Sequence, residues 1–124
     1  MVRAIGIAAA AFGAAAVMLG AFGAHALRGH VDEAALQIWH AAVEYQFWHT
    51  LALLALAVFT QPAPRSARLA AFAFSIGIVL FSGSLYALAL GAPHWIGAIT
   101  PCGGAALIAG WILLGFACCS ATKK

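Results

Sequence analysis

Four apolar runs, at about residues 4–27, 41–60, 69–90 and 100–119, nearly exhaust the chain. Each is long enough to cross the hydrocarbon core of a bilayer, which takes roughly 20 helical residues. The 124 residues are 65% hydrophobic and only 7% charged, with a mean hydropathy of +1.02. A soluble domain needs a polar surface to cover its core, and this chain has too few polar residues to build one. The expected fold is therefore all-α: an integral membrane four-helix bundle, a single membrane domain over residues 1–124.

The first run follows Arg3 and ends in Gly23-Ala24-His25-Ala26, which resembles a secretory signal with a small-residue cleavage site. Because the run is longer than the usual apolar region of a signal, it is read as the first transmembrane helix. Gly6, Gly13 and Gly20 recur every seven residues, with Ala9, Ala16 and Gly23 on a second row. Small residues at that period let two helix backbones approach closely, which predicts a central place for this helix.

Residues 28–31 lead to Asp32 and Glu33, acids suited to the positive end of a helix dipole. No Gly or Pro interrupts residues 32–61, so one continuous helix of about 45 Å is possible. In its amphipathic lead-in, 32–44, Glu33, Gln37, His40 and Glu44 fall within about 60° of one another, while Leu36, Trp39, Val43 and Phe47 form a separate stripe. This part either projects past the membrane or lies along the interface and bends near Glu44. Pro62 and Pro64 stop the helix. The third span, Leu69 to Leu90, closes at Gly91-Ala92-Pro93. Thr100 then reads as a cap with Pro101 at the first helical position of the fourth span. Gly83, Gly103 and Gly110 join the four glycines of the first helix as packing positions.

Orientation follows from the cations, because short loops rich in Lys and Arg stay in the cytoplasm. Arg3, Arg65, Arg68, Lys123 and Lys124 fall on one side of a four-span chain and Arg28 alone on the other. Both termini are therefore expected in the cytoplasm, with a multi-pass location in the cell inner (plasma) membrane.

That topology places all three acids and all five histidines, His25, His30, His40, His49 and His94, in the outer half or outer loops. Counting inward at 1.5 Å per residue puts His49 about 15 Å deep. The same count brings Ser82 to a similar depth, Ser84 and Tyr86 to the level of Glu44–Gln46, and His25 near His40. The candidate polar cluster is His25, His40, Glu44, Tyr45, Gln46, His49, Ser82, Ser84 and Tyr86. Its first reading is polar glue, each group satisfying another between helices. Its second is a proton- or ligand-handling site, since histidine titrates near neutral pH and intramembrane ionisable groups mark functional paths.

Other chemistries find little support. His40 and Glu44 share a face, but His49 lies about 140° or more around the helix, so no face offers three metal ligands. Ser82 or Ser84 with His49 has the elements of a nucleophile and base, yet a transmembrane Ser-Gly-Ser more often serves close packing. No phosphate-binding loop is present, so no enzymatic activity and no cofactor are expected. The cations are too few for a nucleic-acid surface. Cys102, Cys118 and Cys119 form no ligand spacing and read as small apolar fillers.

The segments Gly20-Ala-Phe-Gly-Ala-His-Ala-Leu27, Ala42-Val-Glu-Tyr-Gln-Phe-Trp-His49, Phe81-Ser-Gly-Ser-Leu-Tyr86, Ile99-Thr-Pro-Cys-Gly-Gly104 and Gly110-Trp111 together resemble a known family. It is the group of small four-helix membrane proteins of unknown function that includes bacterial YgdD-like inner-membrane proteins and animal transmembrane protein 256. The resemblance implies a membrane location and four helices, and brings no catalytic residue with it. At Cys102 the chain departs from the aliphatic residue usual after that Thr-Pro.

Two functions follow as expectations. The first is an interaction or accessory protein, a bundle in the lipid bilayer that forms a homo-oligomer or docks beside other membrane proteins. In it, Gly13→Leu and Gly20→Leu break assembly while His49→Ala is mild. The alternative is an oligomeric transporter or channel-like protein with the His/Glu/Tyr cluster as its polar path. Lipid-surface sensing by residues 32–47 is a third possibility, for which the cation-poor loops are ill suited.

Overall fold

The computed structural model describes residues 2–60 and 62–121. Four helices and one short 3-10 helix account for nearly all of them: α1 Val2–Ala24, α2 Glu33–Phe59, α3 Arg65–Ala89, the 3-10 helix His94–Ala98, and α4 Ile99–Ala121. All four long helices have the length and apolar composition to cross a membrane. Lys123 and Lys124, two of the cations used for orientation, lie outside the described residues.

Local chemistry sets the helix ends. The Asp32 carboxylate accepts from the Ala35 backbone N–H at 2.8 Å, an N-cap that satisfies one orphan donor of α2. Between α1 and α2, Gly29 takes a left-handed conformation at φ 87°, open to glycine at no steric cost. Gly91, at φ 92°, plays the same part after α3. Helix α4 starts one residue before Thr100, directly after the 3-10 helix, so Thr100 is not the cap the sequence suggested. Pro101 still falls within the first turn, where a missing N–H leaves no helical bond unmade. The freed Thr100 hydroxyl bonds elsewhere, to Ser84.

The helices pack in chain order, α1 on α2, α2 on α3 and α3 on α4, and α1 and α4 are not a close pair. Helices α2 and α3 are therefore central, and the central place expected for α1 is corrected. About 17% of the apolar window of α1 is buried against 44% for α2, and Ile7, Val17 and Met18 face outward. The small residues of α1 serve one seam only. Ala9, Ala16 and Gly23 are its buried row, and Gly13 and Gly20 sit beside them against Thr50 and Val43. Two rows that look like two interfaces in the sequence lie some 40° apart and form a single face.

Helix α2 is unbroken from Glu33 to Phe59, and its lead-in packs against the ends of α1 and α3. Leu36 and Trp39 are buried with Leu27 and Ala89, while Glu33, Gln37, His40 and Glu44 are exposed. The larger core joins Ile5 and Ala9 of α1, Leu53 and Leu56 of α2, Phe74 and Ile78 of α3, and Leu107 and Ala117 of α4.

At the α3–α4 seam the backbones come close. A Cβ on Gly103 would collide with the Phe81 backbone, one on Gly110 would lie 2.6 Å from the Phe74 ring, and one on Gly77 would lie 2.5 Å from Leu107. Gly6 and Gly83, two of the expected packing glycines, have open space where a Cβ would stand, so neither packs within the chain.

Candidate functional site

The polar residues that the fold brings together centre on Gln46, which is 3% exposed on the inner face of α2. Its amide is used at both ends. Nε2 donates to the Phe12 carbonyl of α1 at 2.8 Å, and Oε1 accepts from the Tyr86 hydroxyl of α3 at 2.7 Å. The α1 contact is available because a helix carbonyl has a second lone pair beyond its own helical bond. The Tyr86 ring packs on Trp39 with centroids 4.6 Å apart, and the Trp39 indole N–H donates to the Leu19 carbonyl at 2.8 Å. Three helices are thus joined through two amide bonds and one indole bond.

Two serines extend the links. Ser82 donates to the Ala42 carbonyl of α2 at 2.7 Å. The Ser84 and Thr100 hydroxyls lie 2.6 Å apart, tying α3 to α4, and Ser84 also donates to the Phe81 carbonyl. The Tyr86 hydroxyl reaches Gln46 although its ring stands beside Trp39, closer to the start of α2 than the depth count placed it. Ser82 does not reach His49; it stands level with Ala42, and Phe74 is the α3 residue beside His49, with ring centroids 5.7 Å apart. The count treated Trp39 and Gly91 as level, whereas Trp39 is level with Tyr86 because the first turns of α2 pack along the end of α3.

His49 is buried, at 5% exposure, and its Nδ1 lies 2.6 Å from the Tyr45 carbonyl one turn earlier. A carbonyl only accepts, so Nδ1 carries a hydrogen and donates it to Tyr45. The ring sits among Tyr45, Phe74 and Trp111, the last edge-on at 5.8 Å, and so touches α2, α3 and α4. The bond to Tyr45 takes the place of the serine partner expected from the sequence.

The remaining candidates stand apart. His25, His40 and Glu44 are exposed, and none takes part in the Gln46 links. Tyr45 is partly exposed and packs on Phe81 at 4.6 Å. Among the described residues no group of three His, Cys, Asp or Glu side chains is placed to hold a metal ion, and no fully buried side-chain N or O lacks a partner. Trp39 and Thr100 were absent from the candidate set. A tryptophan on the buried stripe beside Leu36 carries an N–H that needs an acceptor, and that need was the legible signal for Trp39.

Residues 19–104 match the family described as "Protein of unknown function (DUF423)". The chain belongs to this family. The matched region runs from the end of α1 to the start of α4 and holds the Gln46–Tyr86, Trp39–Leu19, Ser82–Ala42 and Ser84–Thr100 bonds, while Phe12, the α1 partner of Gln46, precedes it. Among curated relatives, a UPF0382 membrane protein of Haemophilus influenzae is 48% identical over 101 residues, covering 81% of this chain and 81% of that protein. The UPF0382 membrane protein YwdK of Bacillus subtilis is 45% identical over 101 residues, covering 80% and 82%. A UPF0382 membrane protein of Staphylococcus haemolyticus is 43% identical over 95 residues, covering 77% and 78%. No solved structure matches the chain. With four apolar helices and relatives named as membrane proteins, the chain is a small multi-pass membrane protein of a family whose function is unknown.

Proposed function

We propose that this protein works by contact inside the membrane, as an interaction or accessory bundle that assembles with itself or docks beside other membrane proteins, and that it is not an enzyme. Gln46 carries the reading. A buried, uncharged polar group that could have lined a path instead joins α1, α2 and α3 through both ends of its amide. Ser82 and Ser84 are engaged in the same way. Interhelical bonds of this kind hold a bundle in one arrangement and occupy the groups that make them. The transporter alternative has Glu44, His25 and His40 on the outside of the bundle, where a path would have to form between chains. The proposal includes the orientation with both termini in the cytoplasm, supported by Arg3, Arg65 and Arg68 at one end of the helices.

The test is native mass spectrometry of the protein extracted gently from its own membrane at native expression. A fixed stoichiometry, with itself or with other chains, is the expected result. A bare monomer with no co-purifying chain would overturn the proposal. Gly13→Leu and Gly20→Leu are poor probes of assembly, since both glycines face α2 within one chain. Gly6→Ala, whose Cβ meets open space within the chain, is the variant to compare.

A further inference from the structure

A cleft of about 280 Å³ opens between the last turn of α1 and the first turns of α2, lined by Gly23, Ala24, Arg28, Glu33, Leu36 and His40. Its α2 wall is one helix face, because Glu33, Leu36 and His40 lie at spacings of three and seven residues. Gly23 lets α1 and α2 meet here: a Cβ on it would lie 2.5 Å from the Trp39 ring, so the glycine admits the indole against α1. The opposite wall is fixed by the turn. Leu27 is buried, the His30 N–H bonds the Leu27 carbonyl at 3.0 Å, and a backbone bridge joins Arg28 to Val31.

The charges in this cleft are not otherwise engaged. The neighbouring Asp32 carboxylate is the helix cap, which leaves Glu33 as the carboxylate of the cleft. Arg28 and Glu33 line the same space without forming an ion pair. Arg28 is also the one cation in the α1–α2 and α3–α4 connections, the other five lying near the termini or at the start of α3. A lone arginine and a lone carboxylate in one small cleft repel a simple cation and a simple anion in turn. A molecule with a phosphate a few bonds from an ammonium suits both, because guanidinium matches phosphate oxygens in two parallel bonds. The Glu33 carboxylate accepts from the ammonium, and a ring N–H of His40 adds a donor to the phosphate.

The volume is roughly nine times the share of one liquid water and lies at the lower end of ligand pockets, which is the scale of a headgroup. Beside the cleft, the outward face of α1 shows Phe22 at 44% and Met18 at 65% exposure, an apolar track for an acyl chain. We infer that the Arg28–Glu33–His40 cleft binds the phosphoethanolamine headgroup of a membrane phospholipid, with the phosphate on Arg28 and His40 and the ammonium on Glu33.

The experiment is native mass spectrometry of the full-length protein in detergent, titrated separately with phosphatidylethanolamine, with phosphatidylglycerol of the same chains, and with soluble phosphoethanolamine. The wild type should retain phosphatidylethanolamine over phosphatidylglycerol, and Arg28→Gln should lower that retention about tenfold, as the loss of a charged hydrogen-bonding partner does. Glu33→Gln should reverse the preference toward phosphatidylglycerol, a change that a structural role for Glu33 would not produce. Melting curves identify any variant that has lost its fold, in which case Glu33→Lys, with the same expected reversal, replaces Glu33→Gln. Equal retention of the two lipids by the wild type, or an unchanged preference in the Glu33 variant, would overturn the assignment. Binding of soluble phosphoethanolamine without a lipid preference would overturn the lipid as its source.

Discussion

The α3–α4 seam and the α1–α2 seam are both rich in small residues, yet they are held in different ways. At α3–α4, Gly77, Gly103 and Gly110 bring side chains and even backbone of the facing helix into the space a Cβ would fill. At α1–α2, a Cβ on Gly13 or Gly20 would lie 3.4 Å from Thr50 or Val43, ordinary van der Waals contact. Gly23, where a Cβ would lie 2.5 Å from the Trp39 ring, is the tight point, and the helices are joined by the Gln46 and Trp39 bonds to α1 carbonyls. Close approach runs the length of the α3–α4 seam, with one hydroxyl pair at its end, whereas at α1–α2 it is confined to Gly23 and polar bonds do more of the joining. A glycine repeat is thus no measure of how tightly a membrane helix packs; the atoms facing it decide.

The sharpest way to break this contrast is Gly103→Ala. The new methyl meets Phe81 backbone, which cannot turn aside, so a loss of about 3 kcal/mol or failure to fold is expected. Unfolding by SDS titration in bicelles measures it, and an unchanged curve would mean that the α3–α4 seam is looser than described. Gly110→Ala should cost less, about 2 kcal/mol, because its obstacle is the Phe74 side chain, which can shift although it is fully buried. On the other seam, Gln46→Leu should cost about 1 kcal/mol, the scale of an interhelical hydrogen bond in a membrane. The smallest effect belongs to Gly13→Ala, where added helix propensity offsets a mild contact, and stability should stay within about 0.5 kcal/mol of the wild type. A Gly13→Ala loss as large as that of Gly103→Ala would erase the distinction between the seams.

Much of this arrangement is legible in the sequence. The four apolar runs, the break at Pro62–Pro64 and the acid at Asp32 specify helices and ends through length, ring constraint and capping, all of which are local. The polar stripe of α2 follows from spacing, with Glu33, Gln37, His40 and Glu44 exposed; of the apolar stripe, Leu36 and Trp39 are buried, Val43 is half-buried and Phe47 is exposed.

What was not legible is non-local. Helix α1 carries the most regular small-residue repeat, but regularity does not say how many neighbours a helix has, and α1 has one close partner. Gly77 passed unnoticed because a lone glycine in an apolar run gives no period, although Leu107 fills the space over it. His49 drew attention as the deepest ionisable group, yet its Nδ1 finds the Tyr45 carbonyl one turn away, an option open to any buried helical histidine. Gln46, an uncharged residue between a tyrosine and a phenylalanine, turned out to hold more of the bundle than His49 does. Its reach to Phe12 and Tyr86 depends on the register between helices, which no single helix encodes.

The central claim is that the buried polar groups link helices, and the Gln46–Tyr86 bond is its most direct test. A double-mutant cycle with Gln46→Leu, Tyr86→Phe and the pair, followed by SDS unfolding in bicelles, isolates that bond. The account predicts a coupling of about 1 kcal/mol between the two sites. Additive losses, with no coupling beyond about 0.3 kcal/mol, would contradict it.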